Sequence, residues 1–176
     1  QIPVLGVIVP GAQAACAASQ SGRIGVIGTQ GTIDSGSYQR ALTSLRPQAN
    51  IFPKACPLLV PLAEEGLINH RATRILTQEY LQPLLAQKID TLVLGCTHYP
   101  LLQPLLEEIS GESVNVLNSA KAVAQSLQSL LHDHNLASDS KIHKDRFFST
   151  DTATRFKKVG RSFLGESIHE VKVVDL

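Results

Sequence analysis

Methionine and tryptophan are both missing from this 176-residue chain, which begins at Gln1. A complete gene product normally begins with Met, so a processed N-terminus or a fragment is expected, and the motifs below favour a fragment. Aromatic residues are scarce, at 5%, too few to build stacking platforms for nucleic acid. The net charge is +1, with the basic residues scattered, which argues against a polyanionic partner. No apolar run approaches a membrane span, and no charged leader precedes an apolar core as in a signal peptide. The three cysteines, Cys16, Cys56 and Cys96, are odd in number and lack CxxC spacing. They form neither a disulfide framework nor a zinc site, and free thiols suit a reducing cytoplasm.

What is present is 43% hydrophobic and 18% charged, the balance of a soluble globular core. The length fits one domain, or one domain with part of another. Val4 to Val9 reads as a buried strand, Gly11 to Ser21 as an Ala-rich helix, and Arg23 to Thr29 as a second strand. Ser35 to Leu45 reads as a helix, and Asn50-Ile51-Phe52 as a short, weak strand. Asn69 is the expected N-cap of a helix carrying Ala72, Ile75, Leu76, Tyr80 and Leu84 on one face. Pro83 should kink or end it. Thr91 to Leu94 is uninterrupted and apolar, as a central parallel strand should be. Pro104 can open the next helix, and Val114 to Leu117 follows as a strand. Ser119 is the expected cap of a helix with Val123, Leu127, Leu130 and Leu131 on its apolar face. Residues 132–144 read as a polar loop. Arg146 to Phe148 reads as a strand, Thr152 to Leu164 as a helix, and Val171 to Val174 as a last strand.

Strands alternating with helices predict an α/β fold with a doubly wound, mainly parallel sheet. Ligands of such sheets bind beyond the carboxyl ends of the strands. Three turns fall there: Pro10-Gly11, Gly28-Thr29-Gln30-Gly31-Thr32 and Gly95-Cys96-Thr97-His98.

Cys96 closes the most apolar strand, where nearby helix N–H groups can lower a thiol pKa from its usual value of about 8.5. Thr97 offers a hydroxyl and a backbone N–H to a carboxylate. His98 is close enough to shuttle protons or polarise the thiol. A buried, inert cysteine is the competing reading, and position alone does not separate the two. The Gly28–Thr32 turn is neither GxGxxG nor a Walker sequence. Thr29 and Thr32 could hold a carboxylate, although taken alone a glycine turn with a threonine cap explains them better. Cys56 and Cys16 read as packing residues, and Glu64 and Glu65 as solvated charges. His132, Asp133 and His134 lie at a helix end with no further ligand cluster, so no metal is expected. No GxSxG arrangement is present.

Several strings together resemble the glutamate racemase family, within the aspartate/glutamate racemase superfamily. They are Pro3 to Gly11, Gly28 to Thr32, Ala55-Cys56-Pro57, Pro61 to Gly66, Leu94 to Leu102, Arg146 to Thr150 and Ser162 to Gly165. The Gly95-to-Leu102 string GCTHYPLL is the most specific. The resemblance implies a cofactor-independent, cytoplasmic isomerase that interconverts L- and D-glutamate for peptidoglycan, with a homodimer as one possible assembly. It implies two facing α/β domains with one thiol on each face of the substrate. Mapped here, Cys96 is the second of the two catalytic cysteines. Thr97 and His98 resemble the substrate-binding pair, with His98 also assisting proton transfer. Thr29 and Thr32 match pocket positions, and Glu64 a supporting position behind them. The family's opening segment, with its first catalytic cysteine, has no counterpart here, and neither Cys16 nor Cys56 occupies that segment. Asn118 stands where the family usually has Asp, which would weaken a local cap.

The expected organisation is a complete domain over residues 1–117, a span that includes one strand of the other domain at its start. Residues 118–176 would be the returning part of that other domain, with exposed apolar surface and marginal stability. Two alternatives follow for the chain as it stands. One is a catalytically incomplete carboxylate-binding module; the other is a relative racemising another acidic amino acid.

Overall fold

The structure, a computed structural model, describes residues 3–138 and 145–175. The apolar runs Arg23–Gly28 and Thr91–Leu94 become adjacent strands, because each is buried along nearly its whole length and must be covered on both faces. They are β1 and β3 of a four-stranded sheet in the order β2-β1-β3-β4, with β2 at Asn50–Ala55 and β4 at Asn115–Asn118. All three pairings are parallel, with Ile24 opposite both Ile51 and Thr91, and Leu94 opposite Asn118.

Side-chain alternation along the strands splits the core in two. Ile24, Val26 and Val93 face helices α1 (Ile8–Ala18) and α3 (Ser37–Leu45), with Ala12, Ala15, Tyr38 and Leu42 filling that layer. Ile27, Leu92 and Leu94 face α4 (Leu59–Glu64), α5 (Arg71–Leu85) and α6 (Gln103–Ser110), against Leu59, Leu81 and Leu106. Each fully buried leucine in these layers contributes about 1.5–3 kcal/mol. Asp90 pins the opposite end of the sheet, accepting from Ser19 Oγ and Ser21 N–H at 2.6 Å each and from Thr91 Oγ1 at 3.1 Å.

Several expectations need correction. Val4 to Val9 is not a strand: α1 begins at Ile8, and Val4 is 92% exposed. Among the described residues no strand pairs with this segment, so nothing satisfies an extended backbone there, and the Ala-rich run draws Ile8 and Val9 into its helix. Strand β2 runs three residues past Phe52 and contains Pro53, which an edge strand tolerates. The cap of α5 is His70, whose Nδ1 accepts the Ala72 N–H at 3.2 Å, rather than Asn69. Pro83 lies inside α5, which stops at Leu85. The cap of α7 (Ser119–Asp133) is Asn118, not Ser119; its Oδ1 accepts from Ala120 N–H at 3.1 Å. Asn at this position therefore serves as a working cap. The loop expected over 132–144 lies partly outside the described residues, and α7 takes its first two positions.

The chain divides into two compact units, residues 1–136 and 137–176, and α7 belongs to the first. Helix α7 buries none of its residues fully, and Leu127 is exposed. The second unit is a single βαβ: β5 (Phe147–Ser149), α8 (Ala153–Leu164) and β6 (Val171–Val173), with the strands parallel. Ile168 is buried and occupies the space a side chain at Gly160 would need. The rings of Phe147 and Phe156 lie 6.4 Å apart. Phe148, Phe163, Leu164 and Val173 are exposed, the apolar surface expected of this region.

Candidate active site

From β1 the chain crosses to β2 on one side, while β3 and β4 lie on the other. That makes the β1–β3 boundary a topological switch point, and ligands of such sheets bind beyond the strands' carboxyl ends there. Two of the three expected turns meet there. Thr29 follows β1, and Gly95-Cys96-Thr97-His98 follows β3. The third does not: Pro10 and Gly11 are buried inside α1.

Gly95 N–H donates to the Ile27 carbonyl at 2.7 Å, carrying the sheet ladder one step past β3. A Cβ at Gly95 would lie 2.9 Å from that same oxygen and 3.1 Å from the Tyr38 ring. Glycine is therefore required for the backbone to turn here and present Cys96. Tyr38 itself is buried, and its hydroxyl hydrogen-bonds the Ser119 side chain at the start of α7. Gly11 packs against the same ring and against Ser119.

Cys96 is half-buried. Burial pushes its thiol up, the N–H groups of His98 and Tyr99 directed at the sulfur pull it down, and the negative charge of Glu64 pushes it up again. The net direction is upward. The anion-favouring amides expected from the sequence are present, but desolvation outweighs them. Tyr99 opens a short 3-10 turn (Tyr99–Leu102) that leads into α6. Its ring is fully buried and its hydroxyl donates to the Cys56 carbonyl at 2.7 Å.

His98 Nε2 lies 3.2 Å from Glu64 Oε1, with both side chains mostly covered. A carboxylate only accepts, so Nε2 carries the proton in this contact. In the neutral imidazole Nδ1 is then the acceptor. Glu64 ends α4 and sits 34 residues before His98 in the chain. It is no solvated bystander.

Thr29 caps the short helix α2 (Gln30–Asp34) by accepting the Thr32 N–H at 3.3 Å, and the two hydroxyls are 3.0 Å apart. One hydroxyl donates to the other, which leaves the second proton of the pair for a ligand oxygen. Thr97 is exposed. Cys56 is fully buried and its thiol is pushed up to about 12 by burial, against the pull of Lys54. Cys16 lies on α1, its thiol also raised by burial despite Arg46. Among the described residues no three His, Cys, Asp or Glu side chains gather as for a metal ion, and no helix is long and apolar enough to cross a membrane.

A thiol, an imidazole–carboxylate pair and threonine hydroxyls thus stand around the switch point of a parallel α/β unit. The chain belongs to the Asp/Glu/hydantoin racemase family, whose pattern matches residues 1–127. It is 47% identical to the glutamate racemase of Syntrophus aciditrophicus over 99% of this chain and 65% of that protein. The crystal structure of a glutamate racemase isoform from Bacillus anthracis superposes with a TM-score of 0.91 at 39% identity, covering all of this chain and 66% of the other. A glutamate racemase from Francisella tularensis, solved with D-glutamate, superposes with a TM-score of 0.89 at 29% identity over 99% of this chain and 64% of its own. The chain thus spans about 65% of the length of these relatives.

Proposed function

We propose that this chain forms the Cys96-bearing part of a glutamate racemase, which interconverts L- and D-glutamate with two thiols and no cofactor. The observation that carries the proposal is Cys96 at the β1–β3 switch point, its sulfur facing two backbone N–H donors beside the Glu64–His98 pair. Inverting a stereocentre requires a base on one face of the α-carbon and an acid on the other. The Cys96 thiolate takes the α-proton of L-glutamate, and a second thiol, from sequence outside these residues, delivers a proton to the opposite face. Burial, which raises the Cys96 thiol, also makes its thiolate a stronger and less solvated base, suited to a weakly acidic C–H. The Thr29–Thr32 pair, Thr97 and the His98 imidazole bind the substrate carboxylates, and Glu64 orients His98. The D-glutamate formed serves peptidoglycan synthesis in the cytoplasm.

Cys16 and Cys56 do not fit the second role, since one lies on α1 and the other is sealed in the core. The second unit, β5–α8–β6, exposes Phe148, Phe163, Leu164 and Val173, which supports its being completed by further sequence of a longer protein. That observation also supports the second reading, in which the isolated 176-residue chain binds a carboxylate without turning it over.

In deuterium oxide the whole enzyme should place deuterium at Cα of glutamate, and Cys96→Ala should lower that exchange by roughly a hundredfold to ten-thousandfold. Undiminished exchange in the variant would remove Cys96 from the chemistry. Faster exchange of aspartate than of glutamate would reassign the substrate. Racemisation by the 176-residue chain alone would overturn its incompleteness.

A further inference from the structure

The segment after Cys96 is held from below by one side chain that the reaction itself does not use. Tyr99 is fully buried, and its hydroxyl donates to the Cys56 carbonyl at 2.7 Å, 43 residues away in the chain. That carbonyl lies where β2 turns into α4, the helix that ends in Glu64. The anchor therefore joins the Cys96 turn to the element carrying the partner of His98. The Tyr99 N–H faces the Cys96 sulfur and reaches the Cys96 carbonyl at 3.2 Å, and the neighbouring His98 N–H also faces the sulfur.

We propose that Tyr99 is the positioning residue of the Cys96 thiol: its hydroxyl, fastened to the Cys56 carbonyl, holds the His98 and Tyr99 amides against the sulfur. The role rests on the reading of Cys96 as an acid–base thiol. Removing the hydroxyl frees the 3-10 turn to move off, and the thiolate loses its two donors while its burial stays. Its acidity must then fall. The titratable groups that surround the pair are Glu64 and His98 beside the thiol, and Cys56 and Tyr80 beside the Tyr99 ring, with Lys54 acting on Cys56. None of these residues is itself substituted in a Tyr99→Phe variant.

The test is the pH dependence of Cys96 alkylation by iodoacetamide in the 176-residue chain, with peptide mapping to separate Cys96 from Cys16. In Tyr99→Phe the midpoint should rise by roughly half a pH unit, about a threefold loss of thiolate at neutral pH. Leu84→Ala, a core variant beside Gly25 of β1, should lose comparable thermal stability yet keep the wild-type midpoint. An unmoved midpoint in folded Tyr99→Phe, or an equal rise in Leu84→Ala, overturns the positioning role. Should Tyr99→Phe not fold, hydrogen exchange of the wild-type chain decides: the Tyr99 and Leu101 amides, which donate to the Cys96 and His98 carbonyls, must be protected, and exchange at exposed-loop rates overturns the anchor. These readouts need no glutamate. A shifted midpoint alongside a whole enzyme inert toward glutamate would sink the racemase reading and leave the anchor standing.

Discussion

Residues 1–136 and 137–176 are built from the same βαβ grammar, yet they bury very different amounts. In the first unit β1 and β3 are sealed between two helical layers, and Ile24, Val26, Ile27 and Leu92 have no exposed surface. In the second, the single β5–α8–β6 repeat fully buries Ile168 while leaving several phenylalanines in solvent. The lesson is that a parallel pair is not a domain. Four strands give central positions covered on both faces, whereas two strands are both edges.

The comparison can be broken most directly by hydrogen exchange on the 176-residue chain. Amides of β1 and β3 should exchange at least about a thousandfold more slowly than those of β5 and β6. Equal protection would erase the distinction, and a gap that narrows in a longer protein containing this chain would sharpen the proposal that further sequence completes the second unit. Next in size, Leu92→Ala should cost about 2–5 kcal/mol in urea unfolding, against less than about 1 kcal/mol for exposed Phe148→Ala. Gly95→Ala should follow, at about 1–3 kcal/mol, because its methyl meets the Ile27 carbonyl and the Tyr38 ring.

The smallest effect concerns Asp90. Burial raises its pKa, but the hydrogen bonds from Ser19, Ser21 and Thr91 prevail and hold it at about 2. A carboxylate with a depressed folded pKa stabilises above its unfolded pKa, and that contribution is lost as pH falls through the folded one. Asp90→Asn should therefore lower stability by about 1 kcal/mol at pH 6. The difference from wild type should fade between about pH 4 and pH 2. A pH-independent difference would show that charge is not what the loop recognises.

The central sheet was readable because it is written locally. Apolar runs at Arg23–Gly28 and Thr91–Leu94 leave few other fates, and the strand-end rule then singles out Cys96. What escaped was set by partners remote in sequence. Val4 to Val9 has the composition of a strand, but pairing needs a neighbour, and none of the described residues supplies one. The Glu64–His98 contact, the Tyr38 ring beneath Gly95 and the Tyr99 anchor each join segments more than 30 residues apart, and no periodicity announces them. The upward direction of the Cys96 shift has the same origin: donors can be read from a helix start, but burial is known only once the layers are packed.

Pro53 carries a consequence outside the chemistry. It sits on β2, the rim of the sheet nearest solvent, opposite Val26. A rim strand is an invitation for another chain to zip on, and an imino acid in its middle has no hydrogen to offer. That edge is thus blunted by one ring, and crowded copies of the protein have one fewer way to aggregate.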